Sequence, residues 1–158
     1  MTRNRPSGSR QQILHTAARL FNEKGYDATS MSDVADALNF SKGTLYHHFR
    51  SKDEILFHIL SHAMDITEER VIDRVREIRD PEQRLRALIG LHIEVVLSPG
   101  DREITVMLHE NHPLPPKLRA RINARKKDYV HFVERTLTWS IGPLRQRRTP
   151  GITRASIC

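Results

Sequence analysis

Three groups of side chains in this 158-residue chain have the type and spacing to do chemistry. His58 and His62 stand four apart, the spacing at which two imidazoles on one helix face share a metal ion. No third ligand stands near them in the sequence, so a solvated helix face is the better reading. His109-Glu110-Asn111-His112 comes close to the H-E-x-x-H pair of zinc hydrolases, but it is one residue short and Pro113 ends the helix. The third group is the run Ser41, Lys42, Gly43, Thr44, Tyr46 and His47. Its hydroxyl, ammonium, phenol and imidazole groups suit phosphate oxygens and base edges, and Gly43 leaves bare backbone where a duplex can approach. No Ser/His/Asp order, Gly-rich phosphate loop or paired carboxylate motif stands out. No catalytic residue, cofactor or metal is therefore expected.

The elements that must position the third group are helices. Apolar residues recur at helical spacing along nearly the whole chain and no stretch alternates like a strand, so the fold class is all-α. Ile13, Leu14, Ala17, Ala18 and Phe21 make the stripe of a first helix, with Ser9 and Gln12 as its capping box and Gly25 as its left-handed stop. Ser30 and Asp33 open a second, short helix to about Leu38, and Asn39 tolerates the left-handed turn that follows. Ser41 caps a third helix over about 42–49, and Ser51 with Glu54 caps a long one reaching about Ile78. Asp80-Pro81 restarts the chain into helices over about 82–97, 102–109 and 116–141. Three short helices with a tight break between the second and third form a helix-turn-helix, whose third helix points its N-terminal end at the major groove.

Here the sequence resembles a known family. Lys24-Gly25-Tyr26, Thr29-Ser30-Met31, Val34-Ala35, the run from Ser41 to Phe49 and the run from Ser51 to Leu56 are similar to the N-terminal DNA-binding domain of TetR-family transcriptional regulators. The resemblance covers about residues 9–60. It implies a DNA-binding transcriptional regulator, a ligand-responsive repressor that holds a palindromic operator as a homodimer. It further implies phosphate contacts from Thr29 and Ser30, groove and phosphate contacts from Lys42, Thr44, Tyr46 and His47, and a phosphate pair with Lys52 at a helix N-terminus. Ser41 and Gly43 complete this set, with Arg3, Arg5 and Arg10 as a basic arm before the fold. Leu45 and Phe49 pack the small domain instead. Asn39 and Phe40 depart from the family, which mostly has Gly and a smaller aliphatic residue there.

Beyond the long helix the resemblance implies a helical effector-binding and dimerisation domain. A small lipophilic effector, of the acyl-CoA kind, is expected among Met64, Ile89, His92, Ile104, Met107, Leu108, His112, Tyr129, Phe132 and Val133. The expected boundaries are a flexible basic arm over 1–8, the helix-turn-helix domain over 9–54, the effector domain over 55–141 and a disordered basic tail over 142–158. The family usually ends in two long pairing helices, whereas this chain supplies one before the run GPLRQRRTPGITRASIC. That run loses acids and periodicity together, as an out-of-frame or truncated end would, or a natural disordered tail. The homodimer is left open by it. One alternative to the regulated repressor is a truncated chain that binds DNA without regulated release. The other is a small helical metal-dependent hydrolase using the histidines, which the spacing does not favour.

Charge refines this reading. The net charge is +7, from 26 Lys+Arg and 19 Asp+Glu, yet residues 1–10 carry +3 of it and residues 142–158 carry +4. Residues 11–60 hold five basic and six acidic side chains, a net of −1. DNA recognition must then rest on where cations are placed rather than on bulk charge. The one cysteine, Cys158, excludes an internal disulfide framework and a cysteine-based zinc site. No apolar run approaches the roughly 18–20 residues that span a bilayer, and the polar, basic start is unlike a secretory signal. The expectation is a cytoplasmic chain with no membrane partner.

Overall fold

The structure is a computed structural model that describes residues 6–98, 101–109 and 114–147. Every described element is helical: α1 (Pro6–Lys24), α2 (Met31–Ala37), α3 (Lys42–His48), α4 (Lys52–Thr67), a π-helical segment (Glu68–Asp73), the single turn α5 (Arg74–Arg76), α6 (Pro81–Leu97), α7 (Arg102–His109) and α8 (Pro116–Arg147).

The short helices begin where local chemistry tells them to. Ser30 Oγ accepts from the Asp33 N–H at 3.1 Å while the Asp33 carboxylate accepts from the Ser30 N–H at 2.7 Å, closing the box that starts α2. Ser41 Oγ accepts from the Thr44 N–H at 3.0 Å to start α3. Ser51 Oγ accepts from the Glu54 N–H at 3.2 Å, but the Glu54 carboxylate reaches one residue further back, to the Arg50 N–H at 2.7 Å. Asp80 caps α6, with Pro81 in its first turn. Gly25 at φ 87° and Asn39 at φ 55° occupy the left-handed region, one ending α1 and the other turning the chain from α2 into α3.

Three expectations need correction. Pro6, not the Ser9–Gln12 pair, opens α1, because its fixed φ and missing N–H suit a first helical position. Residues 6–8 are therefore helical rather than arm, and Ser9 lies inside the helix. The long helix expected from Ser51 is interrupted at Glu68 by the π-helical segment, whose wider turns shift the register so that Val71, Ile72 and Val75 stay buried. Finally, α8 does not stop at 141. It passes through Gly142 and Pro143 to Arg147. The rest of the expected tail, 148–158, lies outside the described residues.

Two apolar cores result. The first joins Ile13, Ala17 and Phe21 of α1, Val34 and Ala35 of α2, Leu45 and Phe49 around α3, and Ile55, Leu56, Ile59 and Leu60 of α4. The second joins Ala63 and Ile66 of α4 to Val71, Val75, Leu88, Val95 and Ile104. Met107 of α7 packs against both. Because Asn39 alone among the described non-glycine residues holds a positive φ, its replacement reads the turn directly. Asn39→Val should lower the unfolding free energy by about 1–2 kcal/mol, the cost of a β-branched residue in the left-handed region, while Asn39→Gly should leave it unchanged or raise it. Denaturant melts of the two variants would show it.

Candidate nucleic-acid interface and apolar groove

The turn at Asn39 and the cap at Ser41 leave α3 with one buried and one open side. Leu45 and Phe49 are buried in the first core, as expected of them. Ser41, Lys42, Gly43, Thr44, Tyr46 and His47 are all exposed, Tyr46 at 51%. The structure thus gathers six of the expected contact residues on one outward surface at the N-terminal end of the helix. Ser41 Oγ and Thr44 Oγ1 lie 2.8 Å apart and fix each other's rotamers. A Cβ added to Gly43 would meet nothing nearer than Ser41 Oγ at 3.8 Å, so packing within the chain does not require glycine there.

The other expected contacts sit differently. Thr29 is buried, and its hydroxyl donates to the Gly25 carbonyl at 2.8 Å. Ser30 is exposed, but the Asp33 carboxylate beside it is held below the usual carboxylate range by Ser30's side-chain and backbone hydrogen bonds. Lys52 Nζ donates to the Tyr26 carbonyl at 2.7 Å and lies 4.2 Å from the Tyr26 ring centroid. The Tyr26 hydroxyl in turn donates to the Asp53 carboxylate, and burial followed by that contact pushes the phenol up from its ordinary range. Arg3 and Arg5 lie outside the described residues.

Arg10 is a junction. Its guanidinium donates to the His48 carbonyl at 3.1 Å and to His58 Nε2 at 2.8 Å, and lies 4.3 Å over the Phe49 ring. One side chain of α1 therefore grips the last turn of α3 and the middle of α4. Burial, and then the positive charge of Arg10, hold His58 below the ordinary imidazole range, so that it accepts this bond in its neutral form. His58 and His62 also line a cavity of about 430 Å³ with His15, Asp65 and Glu103. Among the described residues no three His, Cys, Asp or Glu side chains converge closely enough to hold a metal ion.

In the second half of the chain, an apolar groove of about 370 Å³ runs between α6 and α8. Of the expected effector residues, Ile89, His92, Tyr129 and Val133 line it. His92 Nδ1 and Tyr129 Oη lie 2.6 Å apart with their rings stacked at 17°, and burial raises the Tyr129 phenol. Phe132 faces a neighbouring cavity, Met64 and Ile104 are buried, Met107 packs between the cores and Leu108 is exposed. His112 lies outside the described residues. Leu88, Ile93, Val130 and Leu137 also line the groove and were missed, although their three- and four-residue steps from His92, Ile89 and Val133 carried the signal.

A helix-turn-helix reading head built on the start of a long shared helix, with a helical bundle behind it, defines a class of regulator, and comparison with known proteins bears this out. The model for bacterial regulatory proteins of the tetR family matches residues 13–59, and that for a tetracyclin repressor-like C-terminal domain matches residues 78–143. The chain resembles the crystal structure of AibR in complex with isovaleryl coenzyme A and operator DNA, with 38% identity and a TM-score of 0.79 over 90% of this chain and 76% of that one. It resembles the TetR family transcriptional regulator PfmR from Thermus thermophilus at 32% identity and a TM-score of 0.75, over 89% of this chain and 74% of that one. It is also 36% identical over 87 residues to the HTH-type transcriptional repressor KstR2 of Mycobacterium tuberculosis (strain ATCC 25618 / H37Rv); that match takes in 55% of this chain and 44% of the relative's length, so the chain spans less than half of that curated relative. The chain belongs to the TetR family. Among the described residues, no helix is long and apolar enough to cross a membrane.

The Arg10–His58 bond makes stability depend on pH. Below the ordinary imidazole value of about 6.5, His58 takes up a proton more readily in the unfolded chain than in the folded one, so its contribution to stability is lost as the pH falls. The denaturation midpoint should therefore drop between about pH 7.5 and 5.5. His58→Gln, whose amide oxygen can accept from Arg10 at any pH, should flatten part of that drop; an equally steep drop in the variant would discount His58.

Proposed function

We propose that the chain is a ligand-responsive transcriptional repressor that binds a palindromic operator as a homodimer. The observation that carries the reading is the bare, outward N-terminal face of α3. Lys42, Thr44, Tyr46 and His47 surround Gly43 there, and the fold has no use for glycine at that position. A helix glycine with no packing role costs stability, about 0.5–1 kcal/mol against alanine, so its place in the helix facing the groove points to the partner. AibR, a structural relative solved in complex with operator DNA, supports operator DNA as the partner. Two copies related by a two-fold axis would set their α3 helices about 34–36 Å apart, one turn of duplex.

The effector fits the α6–α8 groove. Its lining is almost wholly apolar apart from the His92–Tyr129 pair and Glu134, which suits an acyl chain with one polar group to orient. Isovaleryl coenzyme A bound to AibR supports an acyl-CoA as the ligand class. Release follows from linkage: a ligand that binds better when α4 is rotated away from its DNA-bound setting shifts the population toward that setting and lowers operator affinity by the same factor. The chain acts by binding and not by catalysis, on DNA in the cytoplasm.

Three variants test the reading on an operator selected from random duplexes by the chain itself. Lys42→Ala with Tyr46→Ala should abolish specific retardation in a gel while leaving the thermal melt in place; retained retardation would sink the assignment of α3. Gly43→Ala should raise the melting temperature and weaken operator binding together, two effects of opposite sign that a plain surface glycine would not give. Lys52→Ala should weaken binding to all duplexes alike and lower the slope of log affinity against log salt by about 1, the signature of one lost phosphate contact. An unchanged slope would leave Lys52 to its bonds with Tyr26.

A further inference from the structure

The apolar groove does not stand by itself. Glu134 lines it and also lines a second, larger cavity of about 750 Å³ further along α8. The chemistry changes across that residue. Arg76 of α5, Arg84 of α6 and Arg135 of α8 enter the second cavity with two aromatic rings, Phe132 and Trp139. The Arg84 guanidinium lies 4.7 Å from the Trp139 ring centroid and that of Arg76 lies 5.9 Å from Phe132. Arg84 is held rigidly, because it donates to the Val75 carbonyl at 3.0 Å and to the Arg76 carbonyl at 2.7 Å. Arg76 and Arg135 are exposed and form no ion pair with a carboxylate among the described residues. Three guanidinium groups against the single carboxylate of Glu134 make this cavity cationic, although the charges of residues 11–141 as a whole sum to zero.

Guanidinium forks match the oxygens of a phosphate in pairs, and a half-exposed indole offers a flat face to a purine. We propose that this cavity is a nucleotide-phosphate subsite, in which the phosphates and purine of a coenzyme A thioester lie against Arg76, Arg135 and Trp139 while the acyl chain enters the α6–α8 groove. The proposal rests on the effector reading above, and it adds which end of the ligand goes where. Phe132 then belongs to the polar end of the site, and Glu134 marks the point where the two ends meet.

Trp139 is the chain's one tryptophan, so its emission reports on this cavity directly. The full chain is titrated with 3′-phospho-ADP, which is the nucleotide end of coenzyme A without the acyl arm, and separately with isovaleryl pantetheine, which is the acyl arm without the nucleotide. Saturable quenching of Trp139 by 3′-phospho-ADP is expected, with competition by isovaleryl coenzyme A. Arg76→Ala with Arg135→Ala should weaken 3′-phospho-ADP by about tenfold or more at fixed salt and leave isovaleryl pantetheine unchanged. Arg84 is left in place because it supports the end of α5, and both substituted positions are exposed, so a melt at the wild-type temperature is expected. If isovaleryl pantetheine binds but 3′-phospho-ADP does not quench, or quenches equally in the double variant, the subsite is overturned and the effector reading survives. If 3′-phospho-ADP behaves as expected and isovaleryl pantetheine does not bind, the subsite stands and the acyl groove falls. If neither ligand binds, both fall.

Discussion

The structure depends on one helix serving two cores. Ile55, Leu56, Ile59 and Leu60 of α4 close the core of the reading head, and a turn further on Ala63 and Ile66 of the same helix begin the core of the bundle. No linker separates the halves, so neither can be repacked without the other noticing. Polar clamps reinforce this at the waist. Arg125 of α8 donates to the Ser61 carbonyl at 3.0 Å and to Asp65 at 2.7 Å, and pairs with Glu68 at 2.9 Å. Burial opposes the Arg125 charge, but the hydrogen bonds it donates to Asp65 and Glu68 outweigh that and hold the proton more firmly than usual. Arg70 of the π-helical segment ties Asp101 just before α7 in the same way. A shift in α8 is thereby felt in α4 through short, directional contacts, and α4 begins at the reading head.

Cations near the reading head are spent with care. Its sequence is slightly acidic, and two of the positive side chains assigned to phosphate from sequence are already engaged within the chain: Lys52 on the Tyr26 carbonyl and ring, Arg10 on His48, His58 and Phe49. Lys42 stands exposed on the outward surface of α3. On the proposed reading, affinity comes from shape, hydroxyl and aromatic contacts around Gly43 as much as from charge, which favours discrimination among sequences over indiscriminate attraction to the polyanion.

What could be read in the sequence was what local chemistry decides. Ser30 with Asp33, Ser41, Asp80, Gly25 and Asn39 act within four residues of themselves, and the structure places each as expected. Leu45 and Phe49 follow from the period of a helix that has one buried side. The misses have two sources. At the ends of α1 and α8 the expected bounds fell short, because Pro6 suits a first helical position ahead of the Ser9–Gln12 pair and the last helix continues past Gly142 and Pro143. Elsewhere the partner is distant in the chain: Arg10 meets residues 38 and 48 positions away, and Arg76, Arg84 and Trp139 meet only because α5, α6 and α8 fold together. Charge counts along a sequence cannot tell a cation aimed at solvent from one aimed at a carbonyl of another helix.

The grip of Arg10 on α3 has a consequence for how such a head can change over time. It holds the recognition helix by a backbone carbonyl, that of residue 48, and by a ring that is buried in the core. Neither belongs to the outward surface that carries Lys42, Thr44, Tyr46 and His47. The side chains on that surface are free to be exchanged one by one, and the helix that carries them will still be presented at the same angle. The seating of the helix and the choice of its outward side chains are therefore separable traits in this fold, and a lineage can change the second without first having to rebuild the first.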